Sequence, residues 1–340
     1  MTEKKAFSWI KSSVKVFSFL VLFGGGWVLS VKGFFILPAS VKLPSYLSRI
    51  GLPTLDRSFK KEHSEVCVFV INLNKDIDRY RSIQPLVQQL GFTYQRISGV
   101  WGSSLSNSFI ENFVDKKSYE LAFNGATPGF GELGCFLSHV KAWISFLNSN
   151  AKFALILEDD AEFDPSKLKQ IIQELIRFQN LWDICSLFSP PAFSGSFLSV
   201  SEFSFSCMLV QFLEETSGTV GLLINRRAAK SLLSKAEKYV LPVDHYIQRI
   251  WEFDDSIRFT GIFPGLIKEK GGTSSIDLQG RRKKSLKILG SKQFQRICSQ
   301  IFHLKSYFAY YCYNYYLALI SKFHKKNYSL KIKNDKELLQ

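Results

Sequence analysis

Residues 153–163 read FALILEDDAEF. The apolar segment Phe153 to Leu157 has the length of a buried strand, and Glu158, Asp159 and Asp160 follow it directly. The carboxyl end of a strand is where open α/β sheets place their ligands. Three adjacent carboxylates repel one another unless something neutralises them. In extended backbone Glu158 and Asp160 point to one side and Asp159 to the other. The outer pair is thus suited to a divalent cation, with Asp159 anchoring the turn. The same residues also suit a solvated acidic turn at the start of the next helix.

Outward from this stretch, strands and helices alternate. VCVFVINL, Val66 to Leu73, is a nearly continuous apolar run of the kind buried on both faces of a sheet. NKDID then supplies turn and cap residues for a helix that reaches Leu90 and stops at Gly91, with Pro85 kinking it or lying in its first turn. A second strand is expected at Phe92 to Ile97. Pro128 to Asn148 carries the strongest helical stripe, through Leu133, Leu137, Val140, Ile144 and Leu147. After the 153–157 strand come a helix over Pro165 to Phe178, strands at Trp182 to Phe188, Phe205 to Phe212 and Thr219 to Ile224, and a helix from Arg226 to Tyr239. This spacing predicts an α/β fold with a mostly parallel sheet. Residues 38–62, with Pro38, Pro44 and Pro53 and no sustained periodicity, read as a linker.

Composition restricts the partners. Of 340 residues, 46% are hydrophobic and 21% charged, a globular balance, and 44 Lys+Arg against 29 Asp+Glu give +15. Such a charge favours anionic lipid, nucleic acid or phosphorylated substrates. Six cysteines, Cys67, Cys135, Cys185, Cys207, Cys298 and Cys312, include no CxxC pair and read as reduced thiols. Val16 to Val31 is an uncharged run of about 16 residues interrupted by Gly24, Gly25 and Gly26, short of the roughly 20 a spanning helix needs. With lysines on both sides it fits a membrane anchor lying in the interface; a spanning helix and a signal segment are the rivals. The far end holds Arg281, Arg282, Lys283 and Lys284 and then a segment rich in Tyr and Phe, which suits a head-group interface or a packed helix pair. Three parts are therefore expected: an anchor and linker over 1–62, an α/β domain over 63–280, and a basic, aromatic helical segment over 281–340. Membrane-associating helices would flank the domain.

Gly131 to His139 reads GELGCFLSH. On a helix Glu132, Cys135 and His139 share one face. Three mixed ligands on one helix match no established zinc pattern, and a polar face lining a cleft suits them better. No RNP-like or glycine-rich pattern accompanies the aromatic residues, so no nucleic acid is expected as partner.

VINLNKDIDR, QRISGVWG, GELGCFLSHVKAW and ALILEDDAEF occur in this order, followed by GTVGLLINRRAAKSLL and PVDHYI. The ordered set resembles glycosyltransferase family 25, the lipooligosaccharide galactosyltransferase group, over roughly residues 65–275. The resemblance implies a GT-A-like, Rossmann-type domain and a UDP-sugar donor, UDP-galactose foremost, with inversion at the anomeric carbon and Mn²⁺ or Mg²⁺ as cofactor. Position by position, Asn72, Arg79 and Asp159 would lie at the nucleotide, and Glu158 with Asp160 would hold the metal as a DxD motif does. Asp244 of PVDH would be the general base, with Glu132 and His139 as further catalytic candidates. EDD in place of a literal DxD, and the loose patterning of the family's later blocks, are departures. The expected enzyme transfers a hexose to a lipid-linked glycan such as lipooligosaccharide, on an anionic membrane surface at the cytoplasmic face of the bacterial inner membrane. UDP-glucose or UDP-N-acetylhexosamine transfer is the near alternative, and a catalytically silent membrane-associated or nucleic-acid-binding protein the distant one.

Overall fold

The computed structural model describes residues 64–271, apart from 124, 189–196 and 254–256, and the single positions 304, 308, 309 and 312. The proposed anchor and linker over 1–62, and all but those four positions of the 281–340 segment, lie outside the described residues. Among the described residues no helix is long and apolar enough to cross a membrane.

Between residues 64 and 271 the described residues form ten strands and seven α-helices, in chain order: β1 (Val66–Asn72), α1 (Ile77–Gln89), β2 (Thr93–Ser98), α2 (Asn107–Phe113), α3 (Lys116–Ala122), α4 (Phe130–Asn148), β3 (Phe153–Glu158), β4 (Ala161–Phe163), α5 (Pro165–Arg177), β5 (Ile184–Ser186), β6 (Phe197–Glu202), β7 (Met208–Phe212), β8 (Gly221–Asn225), α6 (Arg226–Ser234), α7 (Val243–Gln248), β9 (Phe259–Phe263) and β10 (Ile267–Glu269). Eight strands form one sheet in the order β2-β1-β3-β8-β5-β9-β7-β6, and β10 pairs with β4 in a separate ribbon. The sheet is mixed. β1 runs parallel to β2 and β3, as the crossover spacing predicts, and β5 to β9, whereas β8 runs antiparallel to both β3 and β5.

Period-two alternation divides the core between two faces. Cys67, Phe69, Ala154 and Ile156 pack with α4, α6 and α7, while Val66, Val68, Val70, Phe153, Leu155 and Leu157 pack with α1 and α5. Both faces of β1 and β3 are covered, which is why these strands carry unbroken apolar runs. Exposed Pro85 lies inside α1 and not in its first turn. α6 is shorter than the expected Arg226 to Tyr239, ending at Ser234, and Ser206, with Phe205, takes a positive φ ahead of β7 instead of extending it.

The glycines of GELG have a steric cause. A Cβ on Gly134 would land on the Val100 carbonyl oxygen, and one on Gly102 on the Phe130 carbonyl, so the first turns of α4 meet the chain after β2 backbone to backbone. Ser138 Oγ accepts from Val100 N at 2.8 Å and Lys141 Nζ donates to Ser98 O at 2.6 Å, so the same loop is held at two further points. At the other end of α4, the Arg226 guanidinium donates to the carbonyls of Phe146, Leu147, Ser149 and Ala151, capping the groups that a helix C-terminus leaves open.

Gly134→Ala should cost about 1–3 kcal/mol of stability despite the better helix propensity of alanine, because the clash is with backbone that has no rotamer to escape into. Urea denaturation measures it; an unchanged midpoint would show that the 98–102 loop yields freely.

Candidate functional site

The carboxyl ends of β3, β1 and β2 form a continuous polar ledge. Asn72 closes β1 and is buried; its Nδ2 donates to Asp159 Oδ2 at 2.7 Å and to the Asp76 carbonyl at 2.8 Å, and its Oδ1 accepts from Arg96 Nε at 2.8 Å. Arg79, from the first turn of α1, places one guanidinium nitrogen 2.7 Å from Asp159 Oδ1 and 2.6 Å from Asp160 Oδ2. Arg79 thus bridges two carboxylates that the strand rule assigns to opposite sides. The physical reason is that β3 ends at Glu158: Asp159 keeps the alternation toward α1, but Asp160 lies in the turn to β4, where alternation no longer holds. Its backbone carbonyl there accepts from Lys270 N at 2.7 Å, at the end of the β4-β10 ribbon.

Glu158 follows Ala154 and Ile156 in the alternation and faces α4. Thr219 Oγ1 donates to its Oε1 at 2.6 Å, and His139 Nε2 lies 3.5 Å from the same oxygen, too far for a good hydrogen bond. His139 is fully buried and neither ring nitrogen has a hydrogen-bond partner. Leaving a buried polar group unpaired costs about 1–3 kcal/mol. Cys135, one turn back on α4, completes a group with His139 and Glu158 in which one ligand atom from each lies within 4.8 Å of the others.

Asp244, in the first turn of α7, accepts from Gly218 N at 3.3 Å and His245 N at 3.0 Å. The loop before β8 therefore touches Asp244 through Gly218 and Glu158 through Thr219. Gln248 fastens that loop by exchanging hydrogen bonds with the Thr216 backbone at 2.7 and 2.6 Å. Glu132 stands apart from this group: its Oε2 accepts from Gly129 N at 2.9 Å and Tyr119 Oη at 2.8 Å, closing the start of α4. The helix face expected to join Glu132, Cys135 and His139 is replaced in space by Cys135, His139 and Glu158.

Electrostatics separate the three strand-end carboxyls. Burial, followed by the charge of Glu158, pushes Asp160 up to about 7 against the pull of Arg79. Its Oδ1 is buried without a partner. Asp159 is also raised, chiefly by burial, with Asn72 and Arg79 opposing. Burial likewise works against ionisation of Glu158, but His139, Thr219 and Arg79 together outweigh it and hold that carboxyl below its usual value. Burial, with the charges of Glu158, Asp244, Asp160 and Glu132, drives the Cys135 thiol well above its ordinary value. The ledge carries more negative charge than Arg79 neutralises, and its free oxygen on Asp160 is the ligand type that hard divalent cations take. These residues fit such an ion.

The profile of glycosyltransferase family 25 (LPS biosynthesis protein) matches residues 66–247. The chain belongs to that family. Among curated proteins it is similar to procollagen galactosyltransferase 1-A of Xenopus laevis, 27% identical over 54% of this chain and 31% of that one. It is also similar to procollagen galactosyltransferase 1 of Danio rerio, 28% identical over 58% and 33%. A human relative named inactive glycosyltransferase 25 family member 3 is 29% identical over 35% and 21%. The chain spans about a third of the length of the two galactosyltransferases.

The family match begins with β1 and ends within α7, and so takes in Asn72, Arg79, Glu158, Asp159, Asp160 and Asp244. Arg96, Thr219 and Gln248 were absent from the sequence candidates, and each reaches the site from a distant segment. Only the position of Thr219 two residues before β8, in GTVG, hints at a role in this glycosyltransferase domain.

A carboxyl whose folded-state value is raised binds its proton more tightly folded than unfolded, so stability falls as pH rises between the two values. Asp160 therefore predicts a loss of stability from about pH 4 to about pH 7 that levels off above. Asp160→Asn should flatten most of that slope; thermal melting across this range, free of divalent ions, checks it.

Proposed function

We propose that this domain transfers a hexose, UDP-galactose being the first donor to test, to a hydroxyl of a glycan acceptor with inversion, on a GT-A-like scaffold using Mn²⁺ or Mg²⁺. The observation that carries the proposal is the charge-rich ledge at the end of β3, where Asp160 keeps a buried, unpartnered oxygen beside Arg79. The family and the names of its galactosyltransferase relatives support the donor class.

Glu158 and Asp160 would hold the divalent cation, which would neutralise the donor diphosphate and the departing UDP. Asn72, Arg79 and Asp159 orient the nucleotide side: Arg79 fixes both aspartates, and Asn72 ties Asp159 to the end of β1. Asp244, half-buried and facing the same loop as Glu158, takes the proton of the acceptor hydroxyl as its oxygen bonds to the anomeric carbon. The bond from that carbon to phosphate breaks, and UDP leaves with the electron pair. A base opposite the leaving group gives inversion.

The acceptor is proposed to be lipid-linked, with the domain held on anionic lipid at the cytoplasmic face of the membrane. Arg281 to Lys284 and the terminal lysines support this, each near-surface cation contributing on the order of 1 kcal/mol. Release of the protein from acidic vesicles by high salt is expected; salt-insensitive retention would rule out a purely electrostatic hold. The human relative named inactive favours a second reading, a silent member of the family.

UDP release from a panel of UDP-sugars with Mn²⁺ decides between them. Asp160→Ala should lower turnover on the order of 100-fold or more, the scale on which one lost transition-state stabiliser acts, and should abolish metal-dependent UDP binding in calorimetry. Asp244→Asn should cost about 10²–10⁴-fold in kcat while UDP binding persists. Full donor binding by Asp160→Ala would refute the metal assignment.

A further inference from the structure

Cys135, His139 and Glu158 have no role in the chemistry above as a group, although Glu158 belongs to the ledge. Cys135 and His139 are one helical turn apart on α4, the i, i+4 spacing that sets two side chains on one face. Glu158 arrives from β3, directed at them by strand alternation. The three ligand atoms lie within 4.8 Å of one another, and His139 Nε2 and Glu158 Oε1 are 3.5 Å apart. Metal–ligand bonds of about 2.0–2.3 Å in a tetrahedron set neighbouring ligand atoms roughly 3.3–3.7 Å apart, so closure requires a shift of about 1 Å.

Three further observations point to a cation. His139 is completely buried and neither nitrogen has a hydrogen-bond partner, an arrangement that a bound ion would resolve at Nε2. Glu158, Asp244, Asp160 and Glu132 all bear electrostatically on the Cys135 sulfur, making the place electronegative. Thr219 Oγ1 holds the Glu158 carboxylate at 2.6 Å, the outer-shell contact that orients a ligating oxygen. The donor set also differs from that of the ledge. One sulfur, one imidazole nitrogen and one carboxylate oxygen suit a borderline transition metal, whereas the all-oxygen ledge suits Mg²⁺ or Mn²⁺. Three protein ligands leave one position of a tetrahedron open.

We propose that Cys135, His139 and Glu158 form a second metal site, selective for an ion of the Zn²⁺ class and distinct from the Mn²⁺ or Mg²⁺ position at Asp160. On binding, the Cys135 thiol gives up its proton to solvent and the sulfur enters as thiolate. The two sites share Glu158, so an ion held by Cys135 and His139 draws that carboxylate away from the donor cation. Zinc then inhibits transfer at a fixed Mn²⁺ concentration.

The test uses the full chain, stripped with a chelator and titrated with Co²⁺ alone, so it needs no donor and stands whether or not the transferase reading does. The expected result is about one equivalent of Co²⁺ with a thiolate-to-cobalt charge-transfer band. Zn²⁺ should abolish the band and Mg²⁺ should not. The band should vanish in Cys135→Ser and in His139→Gln and survive in Asp160→Ala. Melting curves of the metal-free variants confirm that they are folded, and the nearly isosteric Cys135→Ser is decisive if His139→Gln is not. A folded parent without a thiolate band, or a band of full strength in Cys135→Ser, overturns the proposal.

Discussion

The backbone contact between α4 and the chain leaving β2 sets the rest of the site. Two glycines, Gly102 and Gly134, let carbonyl and amide groups approach where a methyl would collide. Ser138 and Lys141 hold the same loop from further along the helix. With its start seated there and its end capped by Arg226, α4 has no freedom to slide. That fixes the half-buried Cys135 and the buried His139 beside Glu158 at the end of β3. The parallel β1–β2 ladder places Arg96 against Asn72.

Excess negative charge is the second organising feature. Arg79 is shared between Asp159 and Asp160, so neither carboxylate has a full counter-charge, and burial prevents water from supplying one. A fold that needed only a stable helix start would gain nothing from this crowding. Buried carboxyls crowded in this way have a raised proton affinity, since the proton is the smallest stand-in for the missing charge. Glu158 behaves differently because Thr219 donates to it and His139 adjoins it, so two carboxyls two residues apart differ in charge near neutral pH.

Much of the scaffold was legible in the sequence. Unbroken apolar runs gave β1 and β3, the i, i+4, i+7 stripe gave α4, and Asp164-Pro165 marks the start of α5, where the Asp164 side chain accepts from Ser166 N and Lys167 N. Short elements were less visible. β4, β9 and β10 have three to five residues each, too few for a period to show, and they are strands because partners across the chain complete their ladders. The antiparallel placement of β8 between β3 and β5 was likewise invisible, since an apolar run reads the same in either direction.

The sequence by itself determined the α/β class, the family and the carboxylates at the end of β3, because each depends on local order: an apolar run, a motif series, a strand end. Tertiary structure alone decided which oxygen meets which partner. It turned Asp160 onto Arg79 where alternation fails, spent Glu132 on a helix start, and brought Thr219 to Glu158 across 61 positions of chain. Such pairings follow from the packing of α4 and the order of strands in the sheet, which no window of neighbouring residues contains.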